Sequence, residues 1–142
     1  MPEFLIRTMG RHDLDLAMEW ALREGWNPGL HDAEAFYHAD PSGFFAGLVS
    51  GVPVACISSV AYDNMFGFLG LYIVKPDFRG RGFGVRIWEK ALEYLGGRNI
   101  GLDGVIARKA DYEKYGFQFA YRNLRFAGHI KSSSNSDHII NL

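Results

Sequence analysis

The sequence predicts a mixed α/β chain, α+β in its strand order, built on a largely antiparallel sheet with one helical crossover. Three observations carry this expectation. The apolar runs Phe44–Val49, Val52–Tyr62 and Phe66–Val74 follow one another across short breaks, the pattern of a meander. A glycine- and arginine-rich turn and a stretch with apolar residues at helical spacing then precede another apolar run at 100–107, the layout of a crossover between parallel strands. The regular strand–helix alternation that two Rossmann halves need is missing.

Each element has its own signal. Residues 4–9 read as a first strand. Asp13 is a plausible N-cap for a helix to Glu24, with Leu16, Ala17, Trp20 and Ala21 on one face and Gly25 as its stop. Asn27-Pro28-Gly29 is a turn, and a shorter helix at 31–39 ends before Asp40-Pro41. Ser50-Gly51 is a tight hairpin signal, and Asp63-Asn64 makes the next turn. From Gly84 to Leu95, the residues Val85, Ile87, Trp88, Ala91, Leu92 and Leu95 keep helical spacing, with Gly96-Gly97 as the stop. Residues 100–107 then predict a strand, 109–115 a short helix and 117–130 a long strand. A polar loop at 131–137 leads to a last apolar segment at 138–142.

The 142 residues suit one domain, 1–142, able to bury about two thirds of its unfolded surface. A net charge of −1 argues against general affinity for nucleic acid. No apolar run approaches the roughly 20 residues that span a bilayer, so no membrane partner is expected. The single cysteine, Cys56, cannot close an intramolecular disulfide and sits inside an apolar run, where it reads as buried rather than nucleophilic; a cytoplasmic setting fits. His31, Asp32 and His38 do not make a metal site, because histidines seven apart without a third ligand belong to a helix surface. Charge is unevenly spread. Lys75, Arg79, Arg81 and Arg86 face one acid, Asp77, which suits a phosphorylated ligand. Residues 3–40 hold eight acids against three arginines, which suits a cationic ligand or simply solvated helix faces.

The most specific segment is Arg79-Gly80-Arg81-Gly82-Phe83-Gly84, between a predicted strand and a predicted helix. Glycines let backbone approach a ligand closely, and helix-start amides with the positive dipole end hold anionic phosphate. The segment lacks the G-K-[ST] ending of a P-loop, and Val85 stands where a dinucleotide fingerprint starting at Gly80 needs its third glycine. ATP and NAD are therefore poor ligands for it.

With its flanks, Tyr72-Ile73-Val74-Lys75-Pro76-Asp77-Phe78-Arg79-Gly80-Arg81-Gly82-Phe83-Gly84 resembles the acyl-CoA-binding motif of the GCN5-related N-acetyltransferase (GNAT) superfamily. Tyr112-Glu113-Lys114-Tyr115-Gly116-Phe117 resembles the Y-E-K-x-G-F segment that ends that family's last helix, about 30 residues on as in the family. Glu24-Gly25-Trp26-Asn27-Pro28-Gly29 is similar to a subgroup of unknown substrate. The resemblance implies a bent, mostly antiparallel six- to seven-stranded sheet with a V-shaped splay between strands 4 and 5, flanked by about four helices. It implies acetyl-CoA as co-substrate, and the histidine spacing gives no metal beside it. Backbone amides of Arg79, Gly80, Arg81, Gly82, Phe83 and Gly84 would take the pyrophosphate, with Arg79 or Arg81 adding charge, and main chain at Ile73, Val74 and Lys75 would pair with pantetheine. Tyr112 would be the general acid near the sulfur. The family's usual asparagine is absent from Val105-Ile106-Ala107-Arg108.

Asp103, a carboxylate in an apolar run beside the cleft, is the first candidate for general base, or else it bonds a turn. Trp26 and Asn27 are candidates for the acceptor wall. The implied activity is acetyl transfer to a primary amine, of a small molecule or a peptide, by direct attack in a ternary complex. The alternative is a non-catalytic acyl-CoA sensor or regulatory module. Proteins of that family often dimerise, so a homodimer is an expectation of the resemblance alone.

Overall fold

Short turns force consecutive strands to lie antiparallel, and in the computed structural model, which describes residues 2–129 and 131, they do. Five strands form one sheet in the order β1 (Phe4–Thr8), β2 (Phe44–Val49), β3 (Val52–Tyr62), β4 (Phe66–Val74), β5 (Asn99–Leu102). The first four pair antiparallel, and β4 and β5 are parallel, joined through helix α3 (Phe83–Leu95) as a crossover requires. The chain divides between Asp103 and Gly104 into two units.

In the first unit, helices α1 (Arg11–Arg23) and α2 (Asp32–Ala39) cover one face of the sheet, where Leu14, Ala17, Trp20, Ala21 and Ala33 pack on Phe44, Ala46, Cys56, Val60 and Ile73. Helix α3 covers the other face with Ile87, Trp88, Ala91 and Leu95 buried, and its Tyr94 meets the Phe45 ring edge-on at 5.6 Å. Period-two alternation makes this possible: Phe44 and Ala46 point to one layer, Phe45 to the other. Asp13 is not the N-cap of α1. Gly10 holds that position, and the Asp13 carboxylate, three residues on, reaches back to accept the Gly10 N–H at 2.8 Å.

Two strand expectations fail. The strand expected at 100–107 is only Asn99–Leu102, because Asp103 and Gly104 end it and Ile106–Arg108 form a 3₁₀ turn. The second unit contains α4 (Lys109–Lys114), and no strand forms across 117–129. Phe119, Tyr121, Leu124 and Phe126 are all more than 60% exposed there. Aromatic and β-branched residues favour strands only where a half-buried pleated surface and a partner ladder await them, and within the described residues of this unit neither does. The described sheet therefore has five strands, not six or seven. The predicted segment at 138–142 lies outside the described residues.

Candidate active site

The loop before α3 owes its shape to glycine. Gly80 and Gly82 have φ of +74° and +81°, and at neither would a Cβ have an atom within 4 Å, so this left-handed backbone faces open space. Gly82 is the N-cap of α3. The first helical bond runs from the Arg86 N–H to the Gly82 carbonyl at 3.3 Å, so the amides of Phe83, Gly84 and Val85 precede any intrahelical acceptor. Gly84 serves a different purpose: a Cβ there would stand 2.7 Å from the Tyr72 hydroxyl. That close approach seats the start of α3 on the end of β4.

The basic residues divide by role. Arg79 Nε donates to the Val74 carbonyl at 2.7 Å and its Nη2 pairs with Glu24 Oε1 at 2.5 Å. Its side chain thus braces the loop. Arg86 donates to the Phe4 carbonyl at 3.1 Å and lies over the Phe4 ring, which stacks on Phe83 at 4.5 Å. Lys75 donates its N–H to the Val54 carbonyl and holds its ammonium 5.9 Å from the Trp20 ring. Arg81 is exposed, its guanidinium 5.3 Å from the Phe78 ring, and is the loop arginine best able to turn to an anion.

Strand β4 carries a bulge. Pairing with β3 shifts by one residue between Cys56↔Ile73 and Ser58↔Gly70, and Leu71 takes φ +46°. The extra residue reverses the alternation. Phe68 and Gly70 face the α1–α2 layer, and beyond the bulge it is Leu71 and Ile73 that do so, while Tyr72 and Val74 turn toward α3. Cys56 donates its thiol to the Leu71 carbonyl at 3.1 Å, and burial pushes its pKa up to about 12, so it braces the bulge and is no nucleophile. The parallel ladder with β5 ends at Leu69↔Leu102, so β4 runs on through residues 70–74 past the end of its neighbour. Since Lys75 bonds β3, the alternation turns the Val74 N–H and C=O away from β3, to that open side. Arg79 occupies the carbonyl. The Ile73 and Lys75 main chain faces β3 instead.

Against the bulge lies a cleft of about 150 Å³ between α1, α2 and the sheet, lined by Met18, Pro28, Asp32, Phe36, Ser58, Val60, Tyr62, Phe68, Gly70 and Leu71. Sequence reading missed these residues as site residues; a glycine inside a strand run, Gly70, was the available signal of a bulge or close approach. Trp26 is half-buried and packs on the α1–α2 core, whereas Asn27 is exposed with φ +48° in the adjoining turn; neither lines the cleft.

Asp103 does not point inward from a strand. It is exposed one residue beyond β5, next to Leu102, whose partner Leu69 precedes Gly70. Tyr112 belongs to the second unit, in α4, half-buried and edge-on to Phe117 at 6.5 Å. Burial raises its pKa above the usual phenol value, so it remains protonated at neutral pH. Its neighbour Asp111 pairs with Arg108 at 3.3 Å.

A family model described as the acetyltransferase (GNAT) family matches residues 11–117. Over 110 residues the chain is 39% identical to a holothin acyltransferase of Pseudoalteromonas sp. (strain SANK 73390), covering 78% of this chain and 37% of that protein. The chain thus spans little more than a third of the length of that curated relative. Among solved structures, a GNAT-family protein of Xanthomonas campestris pv. campestris superposes with a TM-score of 0.70 at 22% identity, covering 89% of this chain and 95% of the other. An acetyltransferase of Clostridium acetobutylicum, so designated by prediction and determined with acetyl-CoA, gives 0.64 at 15% identity over 88% and 96%. At these identities the two structures establish likeness of fold.

Proposed function

The chain belongs to the GNAT acetyltransferase family, and from that premise we propose that it moves an acetyl group from acetyl-CoA to a primary amine by direct attack in a ternary complex. The observation that carries this reading is the meeting of two left-handed glycines, an open helix N-terminus and a bulged β4 that outruns its neighbour. Amides of Gly80 to Gly84 and the Arg81 side chain would hold the pyrophosphate. A splay between the fourth and fifth strands, past Leu69 and Leu102 where their pairing ends, would admit pantetheine against the β4 edge. The Val74 N–H would donate to the thioester oxygen as it gains charge.

The amine arrives as an ammonium and must lose one proton before its lone pair attacks the thioester carbon. We assign that proton to ordered water, with Asp103 as the carboxylate relay at the end of β5. The tetrahedral adduct then breaks its C–S bond, the nitrogen releases a second proton, and the leaving sulfur takes one from Tyr112, whose phenolate regains a proton from solvent. Amide, CoA thiol and one net proton result. A thiol leaving group with a pKa near about 8.5 is readily protonated by a phenol, which stays un-ionised at neutral pH.

Calorimetric titration with acetyl-CoA, with ATP and NAD as controls, tests the site, and thiol release in the presence of amines tests the reaction. Micromolar binding of acetyl-CoA alone and amine-dependent thiol release are expected. Binding without turnover of any amine would leave an acyl-CoA sensor; no binding would overturn both readings.

A further inference from the structure

We propose that the cleft against the β4 bulge takes a compact aromatic primary amine, so that the acceptor is an arylalkylamine and not a polyamine or a peptide lysine. This assignment rests on the acyl-transfer reading of the same site and adds the substrate class. Size is the first ground. A cleft of about 150 Å³ is the size of one ring, since apolar cavities of about that volume accept benzene. Its walls are the second. Phe36 and Phe68 line it with aromatic rings, Leu71 lines it at the bulge, and Tyr62, 39% exposed, adds a third ring. A flat ring meets such walls better than a flexible methylene chain, which loses more rotamer freedom on binding.

Charge is the third ground. The acids of residues 3–40 that suggested a cationic ligand are mostly engaged: Asp13 pairs with Arg7, Asp15 and Glu34 with Arg11, Glu19 with Arg23 and Glu24 with Arg79. Asp32 is the acid that lines the cleft. Its Oδ2 accepts the Gly29 N–H at 2.8 Å, which leaves carboxylate lone pairs for one ammonium. A single carboxylate among aromatic walls suits one cationic centre on a ring-bearing ligand; a polyamine needs several.

The probe is phenethylamine, titrated calorimetrically into the full chain with and without CoA, beside phenethyl alcohol and spermidine. Phenethylamine is expected to bind saturably and at least about tenfold more tightly than spermidine. Asp32→Asn keeps an acceptor for the Gly29 N–H and removes the charge, so it should weaken the amine about tenfold and the alcohol by less than about twofold. Phe36→Ser, at a partly exposed helix position, should weaken both. Spermidine binding as tightly as phenethylamine, or phenethylamine affinity untouched by both substitutions, overturns the assignment. The reaction is read separately by thiol release. Phenethylamine bound but never acetylated keeps the cleft and overturns the transferase reading; spermidine acetylated without phenethylamine binding keeps the transferase and overturns the cleft.

Discussion

Gly82 holds a φ of +81° at the cap of α3, with open space where a side chain would project. Aspartate and asparagine tolerate that conformation better than other side chains and also cap helices well, so either should leave the fold intact. They differ in charge. Gly82→Asp is expected to weaken acetyl-CoA at least about 100-fold, Gly82→Asn by about tenfold or less, both read by calorimetry; equal losses would mean that bulk, not phosphate repulsion, decides. Tyr112 makes a kinetic prediction. Tyr112→Phe should lower kcat roughly 10- to 1,000-fold with CoA affinity unchanged. Because the proposed reaction uses the protonated phenol and burial raises its pKa, the wild-type rate should fall only as pH rises above about 10, and the variant should lose that alkaline limb. A variant with the wild-type rate would remove Tyr112 from the mechanism. Both residues were legible in the sequence as motif positions. Asp32 was not, because a carboxylate's role depends on which side chains the fold gathers around it.

At the scale of elements, Asp40 ends α2 and ties three parts of the first unit together. Its carboxylate accepts the Tyr94 hydroxyl of α3 at 2.8 and 3.0 Å, the Ala61 N–H of β3 at 2.9 Å and the Ser42 N–H at 3.2 Å. Burial and the bond to Asp40 push the Tyr94 pKa up to about 12. A group whose pKa is raised on folding stabilises fully below its unfolded value, near 10, and loses that contribution as pH climbs through the folded value. Tyr94→Phe should therefore cost about 1 to 2 kcal/mol at pH 7 by denaturant unfolding, with the gap to wild type closing between about pH 10 and 12. A gap constant across that window would place the bond outside the stability of the fold. The bulge in β4 teaches a related lesson. The apolar run located the strand and both its ends, but the added residue at Leu71, which reverses the faces of the last four residues, appears only when β3 is laid beside it. The same holds in reverse for residues 117–129, where strand-like composition meets no partner among the described residues of its unit.

For the whole molecule, ligand binding and folding are linked, because the pyrophosphate site we propose, assembled from β4, the glycine loop and α3, would exist only in the folded chain. Acetyl-CoA at 100 times its dissociation constant should add about 2.7 kcal/mol and raise Tm by roughly 5 to 15 °C, whereas ATP and NAD should leave it unchanged; equal shifts with all three would make the site a general anion trap. No helix of the described residues is long and apolar enough to cross a membrane. The sequence by itself determined the meander, the crossover and the glycine loop before α3, because turn chemistry, hydrophobic period and glycine are local properties. Only the tertiary structure decided that Arg79 braces the loop, that Asp103 stands outside the sheet, and that a ring-sized cleft with one carboxylate lies at the bulge. Those depend on which distant residues come together, and chain periodicity does not encode the neighbours a side chain will meet.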